Sequence, residues 1–301
     1  MRVGLVLGGG GLTGTAFHAG VVAALHDLGL DARDADLVVG TSAGSTAGAL
    51  LRAGLAPSDY FARVTGAPLS PAGAALLGGL PPLAAPAEPT SHSRRSAAPD
   101  LARRVVLAPW RYPIGVLAAA VLPVGSRPVD AGAARLAPLF DGWPARPLWI
   151  TAVSLRDGRR VVFGRDAEGS VAQAVAASCA IPGYFAPVIV AGERLVDGGV
   201  HSLVNLDLVA GEGLDLVVAS APLSTHDWPA RDWGHGWRVA ARVQLQREVR
   251  AVAATGTRAL VVAPDAALRA VMGRDSMDPA RRPPVARAAR QHAREVLDRL
   301  L

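Results

Sequence analysis

The chain has 301 residues, with 31 basic against 25 acidic side chains, 50% hydrophobic residues and 5% aromatic ones. Every basic residue is arginine, which excludes a Schiff-base or P-loop lysine, and the single cysteine, Cys179, excludes an internal disulfide, a cysteine zinc cluster and a redox pair. The length suits one large α/β domain or two small ones, and the net charge of +6 favours anionic partners, although uniform arginine usage follows equally from a GC-rich genome.

Residues 3–7 form a short aliphatic run that ends in Gly8-Gly9-Gly10-Gly11, and residues 15–28 then carry apolar side chains at helical spacing. This opening reads as a first strand rather than a signal peptide, because glycines replace a long apolar region. Residues 36–39 predict a second strand, which turns through Gly40-Thr41-Ser42-Ala43-Gly44 into a helix of small residues ending near Arg52. From about residue 66 to 130 the composition shifts to Pro, Ala, Gly and Ser around Arg94, Arg95, Arg103 and Arg104. We read this stretch as an insertion with a few short helices, serving as a lid. Its uncharged part, residues 64–87, is broken by Pro68, Pro71, Pro81, Pro82 and Pro86, and residues 114–124 are too few to span a bilayer, so neither is a transmembrane helix.

Residues 148–154 and 160–163 predict strands joined at Asp157-Gly158. Residues 171–179 predict a short helix, and residues 188–190 and 194–196 a hairpin around Ala191-Gly192 that runs into Asp197-Gly198-Gly199. A buried strand at 214–220, a helix at 237–254, a strand at 259–263 and a basic amphipathic helix at 279–301 complete the chain. Strands alternating with helices predict an α/β fold with a mostly parallel central sheet flanked by helices.

Three segments offer chemistry. Gly9-Gly10-Gly11-Leu12-Thr13-Gly14 fits the G-x-G-x-x-G pattern, and Asp31, Asp34 and Asp36 lie where a dinucleotide site needs its ribose-binding acid. Equally, a glycine loop at a helix amino terminus presents backbone N–H groups to an oxyanion. Gly40-Thr41-Ser42-Ala43-Gly44 fits the nucleophile turn G-x-S-x-G, where Ser42 either attacks substrate or merely caps a helix. Asp197-Gly198-Gly199 supplies a carboxylate at a strand end, in a pattern that ordinary turns share.

In this order the three segments resemble the patatin-like phospholipases, whose glycine-rich oxyanion loop, G-x-S-x-G serine and D-G-[GA] aspartate form a Ser–Asp dyad. The likeness extends to Phe17-His18-Ala19-Gly20-Val21, to the stretch from Ala176-Ala177-Ser178-Cys179 through Phe185-Ala186-Pro187, and to Met272-Gly273-Arg274-Asp275-Ser276-Met277-Asp278. It covers residues 3–210 as a catalytic core, omits most of the 66–130 insertion, and leaves 211–301 as a strand-helix extension packed on the same domain. The resemblance implies a three-layer patatin-like fold and a serine lipid acyl hydrolase of phospholipase A or lysophospholipase type. By the same likeness, Ser42 is the nucleophile and Asp197 the proton acceptor. Gly9, Gly10 and Gly11 form the oxyanion hole, and Gly14, Gly40, Gly44, Gly198 and Gly199 shape the turns. It implies no metal and no cofactor, a lipid or other acyl ester as substrate, and a cytoplasmic protein with peripheral contact to an anionic membrane. Members often carry Arg or Lys where this chain has Thr13, a departure that bears on phosphate recognition more than on ester cleavage.

Competing readings attach to the same residues. A Ser–His–Asp triad would draw on His201, His226, His235 or His292, all of which follow Asp197 as an α/β-hydrolase requires, but Ser42 follows only the second strand. His18 reads as a buried structural histidine, His92 falls in the insertion, and Cys179 reads as a small packing residue. A non-catalytic or dinucleotide-binding module would use the glycine loop alone. The insertion's arginines, near Trp110 and Tyr112, would either lean on anionic lipid or be simply solvated. Nucleic acid has no recognised motif or stacking platform to meet.

Overall fold

The aliphatic run Val3–Leu7 (β1) lies at the middle of an eight-stranded sheet, flanked by β2 (Leu37–Gly40) and β7 (Leu216–Ser220). This is a computed structural model, and it describes residues 1–78, 80, 96–129, 133–225 and 235–299. The remaining strands are β3 (Leu148–Ser154), β4 (Arg160–Phe163), β5 (Val188–Val190), β6 (Glu193–Asp197) and β8 (Arg258–Val262). They run in the order β5-β6-β3-β2-β1-β7-β8, with β4 paired to β3. From β3 to β8 along this order every pairing is parallel, while β4 and β6 run antiparallel to β3, and β5 to β6. The expected α/β architecture with a mostly parallel sheet is therefore the one observed. The chain leaves β1 toward β2 and later returns to β1's other side as β7. That reversal of strand order opens a crevice at the carboxyl ends, the usual ligand position in such sheets.

The period-two alternation of a strand divides the core. Leu5 and Leu7 of β1 and Val38 of β2 face one hydrophobic cluster, and Val6, Val39 and Val217 face another. The first is covered by α1 (Gly11–Asp27), α2 (Ala43–Arg52), α7 (Val171–Ser178) and α10 (Arg282–Leu297), the second by α8 (His235–Ala253). Gly20 is where α10 meets α1: a Cβ there would stand 2.5 Å from the Ala286 carbonyl. The carboxyl-terminal third thus supplies two sheet strands and the helix that seals α1.

α1 begins at Gly11, four residues earlier than the apolar spacing predicts, because the last glycines of the loop already form the first helical turn. Two helices that the sequence reading omits, α3 (Pro57–Thr65) and α9 (Ala266–Met272), are short and depend on tertiary packing rather than periodicity. Within the insertion, α4 (Pro71–Leu77), α5 (Pro99–Leu107) and α6 (Ile114–Val121) are formed. The last two pack on the sheet, with Leu101, Val116 and Ala120 fully buried against Val153 and Val196, so this part is no loose solvated loop. Arg94, Arg95, His92 and His226 lie outside the described residues. Among the described residues no helix is long and apolar enough to cross a membrane.

Candidate active site

β2 ends at Gly40 and α2 begins at Ala43, so Thr41 and Ser42 must turn the chain from strand to helix within two residues. Ser42 adopts φ 52°, ψ −118°, a positive-φ conformation that a non-glycine residue holds only when its surroundings impose it. The surroundings are explicit. A Cβ on Gly44 would run into the Leu7 carbonyl, and one on Gly40 would stand 2.5 Å from Ser45 Cα, so both glycines permit the close approach of strand and helix. The Ser42 N–H donates to Ser178 Oγ at 2.8 Å, and Ser45 Oγ donates to the Ser42 carbonyl at 2.6 Å. Ser42 makes no side-chain capping bond, which removes the helix-cap reading.

Asp197, at the end of β6, is only 5% exposed. Its Oδ1 accepts from the Gly199 N–H at 2.7 Å, and the Ser42 side chain lies beside the carboxyl in the same cavity lining. Burial pushes the carboxyl up to about 6, against the opposing pull of the Ser42 side chain and the Gly199 N–H. Gly198 packs against Thr151, leaving no room for a side chain, and α6 covers the turn that follows, its Gly115 lying against the Val200 carbonyl.

The glycine loop is held from behind. The Gly8 N–H donates to the Ser220 carbonyl at 2.9 Å, and the buried His18 ring meets the Gly8 carbonyl and Ser220 Oγ, each at 2.8 Å. Burial pushes His18 down to about 4, so the ring is a neutral strut, as its structural reading requires. The Gly9 N–H already donates to the Leu203 carbonyl at 2.7 Å. This corrects the expectation of three donors, because a committed N–H cannot also meet an oxyanion. The N–H groups of Gly10 and Gly11 have no partner among the described residues. Thr13 is buried, and its N–H donates to the Ser276 carbonyl at 3.0 Å, while a Cβ on Gly11 (φ 59°) would meet Met277 Sδ at 2.9 Å. The tail segment at 272–278 therefore forms one wall of the loop.

Behind the turn lies a buried polar network with no contiguous motif in the sequence. Asn205, in the left-handed region at φ 59°, donates through Nδ2 to the Ser202 carbonyl at 2.6 Å and to Thr41 Oγ1 at 3.0 Å, and accepts from Arg160 at 3.0 Å. Thr41 and Thr151 hydroxyls meet at 2.9 Å. Ser202 donates to Glu248 at 2.5 Å, and the Leu206 N–H donates to the same carboxyl at 2.9 Å. Asn205 in a tight turn was the one available signal.

No hydrogen bond among the described residues joins a histidine ring to Ser42 or Asp197. His201 Nδ1 is buried without a partner, and His292 bonds the Ala263 carbonyl beside Asp265. The side chain of His235 lies outside the described residues, as does His226. The acids needed for a dinucleotide site are at the wrong end of the sheet: Asp36 accepts from the Val3 N–H at the start of β1, and Asp31 and Asp34 line the same surface hollow. Cys179 packs against Ser45 and Thr46, its thiol pushed up to about 12 by burial.

Two cavities meet at Ser42. One, of about 190 Å³, is walled largely by apolar groups such as Leu12, Leu50, Val175 and Phe185. The other, of about 460 Å³, is the open mouth, bordered by Gly10, Gly11, Asp197, Leu122 and Arg274.

The family profile described as patatin-like phospholipase matches residues 5–210. Two proteins described as uncharacterized NTE family proteins, from Mycobacterium bovis and Mycobacterium tuberculosis, are each 31% identical over 231 residues, covering 77% of this chain and 52% of the relative. The chain thus spans about half the length of these relatives. Among solved structures, VipD from Legionella pneumophila aligns over 99% of this chain and 67% of its own, with a TM-score of 0.48 and 16% identity.

Proposed function

The chain belongs to the patatin-like phospholipase family, and from that premise we propose that it is a serine lipid acyl hydrolase working through Ser42 and Asp197. The observation that carries this reading is the placement of Ser42 beside a carboxyl held out of water, both lining one cavity and the serine side chain lowering the carboxyl's pKa. Ser42 Oγ bonds to the ester carbonyl carbon as its proton passes to Asp197, and the carbonyl oxygen becomes an oxyanion stabilised by the Gly10 and Gly11 N–H groups. Collapse breaks the bond to the alcohol oxygen, which takes the proton from Asp197. Water then attacks the acyl-enzyme, gives a proton to Asp197, and the released Ser42 oxygen recovers it. A free aspartate is a weak base for this task, and burial to about 6 brings Asp197 closer to the working pH.

The apolar cavity suits the acyl chain and the open mouth the alcohol portion. α6, which lines the mouth, continues into an exposed apolar surface. Val106, Leu107, Trp110 and Ile114 are each more than three quarters exposed, close to Arg103, Arg104 and Arg111. That combination suits peripheral docking on an anionic lipid surface, the apolar groups entering the interface and the arginines pairing with phosphates.

The test is ester hydrolysis and fluorophosphonate labelling of Ser42→Ala and Asp197→Asn. Each substitution is expected to lower kcat/KM by about 10³-fold or more, by analogy with other activated serines, and Ser42→Ala to abolish labelling. Retained turnover in Ser42→Ala would overturn the assignment. For the surface, Leu107→Ser with Trp110→Ser is expected to lose co-sedimentation with anionic vesicles while keeping hydrolysis of a soluble ester. Unchanged sedimentation would remove the membrane from this part of the proposal.

A further inference from the structure

The cavity beside Ser42 is not apolar throughout. Its wall includes Arg63 of α3, Arg135, and Arg282 at the start of α10, grouped around the buried Tyr60. Arg63 feels the charges of both Arg135 and Arg282, and Tyr60 those of Arg63 and Arg282. Among the described residues, none of the three arginines has a hydrogen-bond or carboxylate partner. The Nε atoms of Arg135 and Arg282 are cut off from solvent with nothing to donate to. Burial pushes all three guanidinium groups below their ordinary range. Tyr60 brings no countercharge: its hydroxyl donates to the Thr15 carbonyl at 2.9 Å, and burial disfavours its ionisation.

Other half-buried arginines of this protein are treated differently. Arg33 is paired with Asp31, Arg160 with Asp207 and Arg290 with Asp27. Three like charges brought together, partly desolvated and without a counterion among the described residues, oppose folding, and such an arrangement is explained most simply if an anion from outside completes it. The position is also informative. Tyr60 bonds Thr15, four residues and so about 6 Å along α1 from Gly11, and the cavity follows α2 from Ser42 to Leu50, about 12 Å along that helix. A ligand whose ester sits at Ser42 would thus meet the arginines after a short apolar segment.

We propose that Arg63, Arg135 and Arg282 form an anion-binding subsite in the wall of the cavity beside Ser42, selecting esters that carry a carboxylate or phosphate a short apolar distance from the scissile bond. This subsite supplies, from three separate segments, the cationic recognition that Thr13 does not provide in the glycine loop. Its use in turnover rests on Ser42 as nucleophile, whereas the anion site itself does not.

The experiment compares kcat/KM for the p-nitrophenyl half-ester of suberic acid with that for p-nitrophenyl octanoate, and for lysophosphatidic acid with that for the monoacylglycerol of the same chain. A preference for the anionic member of either pair is expected, of about tenfold or more as for a charge-assisted hydrogen bond. It should collapse in Arg63→Gln and Arg135→Gln and survive in Arg287→Gln, which lies on the exposed face of α10. Preference in the suberate pair assigns the anion to the acyl portion, and preference in the lysophosphatidic pair to the alcohol portion. No preference in either pair, or one that survives both arginine substitutions, overturns the proposal. Calorimetric binding of suberate against octanoate by Ser42→Ala tests the subsite without turnover. Tighter suberate binding that Arg135→Gln removes would hold even if Ser42 were not the nucleophile, and equal binding of the two acids would count against the subsite regardless of Ser42.

Discussion

Behind Ser42, the side chains of Thr41, Thr151, Ser202 and Asn205 are all buried, and each finds hydrogen-bond partners within the protein. Arg63, Arg135 and Arg282, from three other segments, share a cavity wall with Ser42 and find none among the described residues. A buried polar group without a partner costs folding free energy, so the first group spends its hydrogen bonds on holding geometry and the second keeps its donors in reserve. The saturated network fixes where Ser42 and Asp197 stand, and the unsaturated cluster calls for a ligand.

The largest effect should come from breaking the saturated side. Asn205→Ala removes donors and an acceptor from Thr41, Ser202 and Arg160 and places alanine at positive φ. A loss of about 3–4 kcal/mol is expected in denaturant unfolding, together with a fall in kcat. A loss under about 1 kcal/mol would show the network to be incidental.

Asp197 stands between the two cases, held by the Gly199 N–H but penalised by burial. Because its folded pKa is raised above the unfolded value, the folded state binds the proton more tightly. Stability therefore declines as pH rises from the unfolded value through about 6. Asp197→Asn escapes that penalty, so its stability relative to the parent should improve by about 2 kcal/mol between pH 4.5 and pH 8 in matched unfolding curves. A constant difference across that range would mean that the carboxyl is not desolvated as inferred. In the parent enzyme, kcat/KM should fall about tenfold per pH unit below the same pKa.

The smallest effect, and the sharpest contrast with Asn205, belongs to the arginines. Arg135→Gln should leave Tm unchanged or raise it slightly, because it removes an unpaired cation from a like-charged group. A clear drop in Tm would assign Arg135 a structural role and erase the contrast.

The difference between these regions also explains what could be read in advance. Ser42 and Asp197 sit in short contiguous segments whose glycines have a local steric purpose: Gly44 lies against Leu7, and Gly198 against Thr151. The helices α3 and α9 escaped the sequence reading because each is a short element stabilised by what it packs on. Asn205 and Glu248 escaped it because their partners are dozens to hundreds of residues away. The assignment of Gly9 as an oxyanion donor failed for a related reason: the acceptor that occupies its N–H, Leu203, is nearly two hundred residues distant in the chain.

By itself, the sequence determined the alternation of strands and helices, the strand-to-helix turn that strains Ser42, and the family to which these segments belong, since backbone sterics and hydrophobic period act over a few residues. Only the tertiary structure decided which backbone N–H groups remain free among the described residues, how far burial raises Asp197, and that Arg63, Arg135 and Arg282 line one cavity with no carboxylate partner among those residues. Those are properties of desolvation and of partners brought together through space, and both exist only once the sheet and its helices have closed around the site.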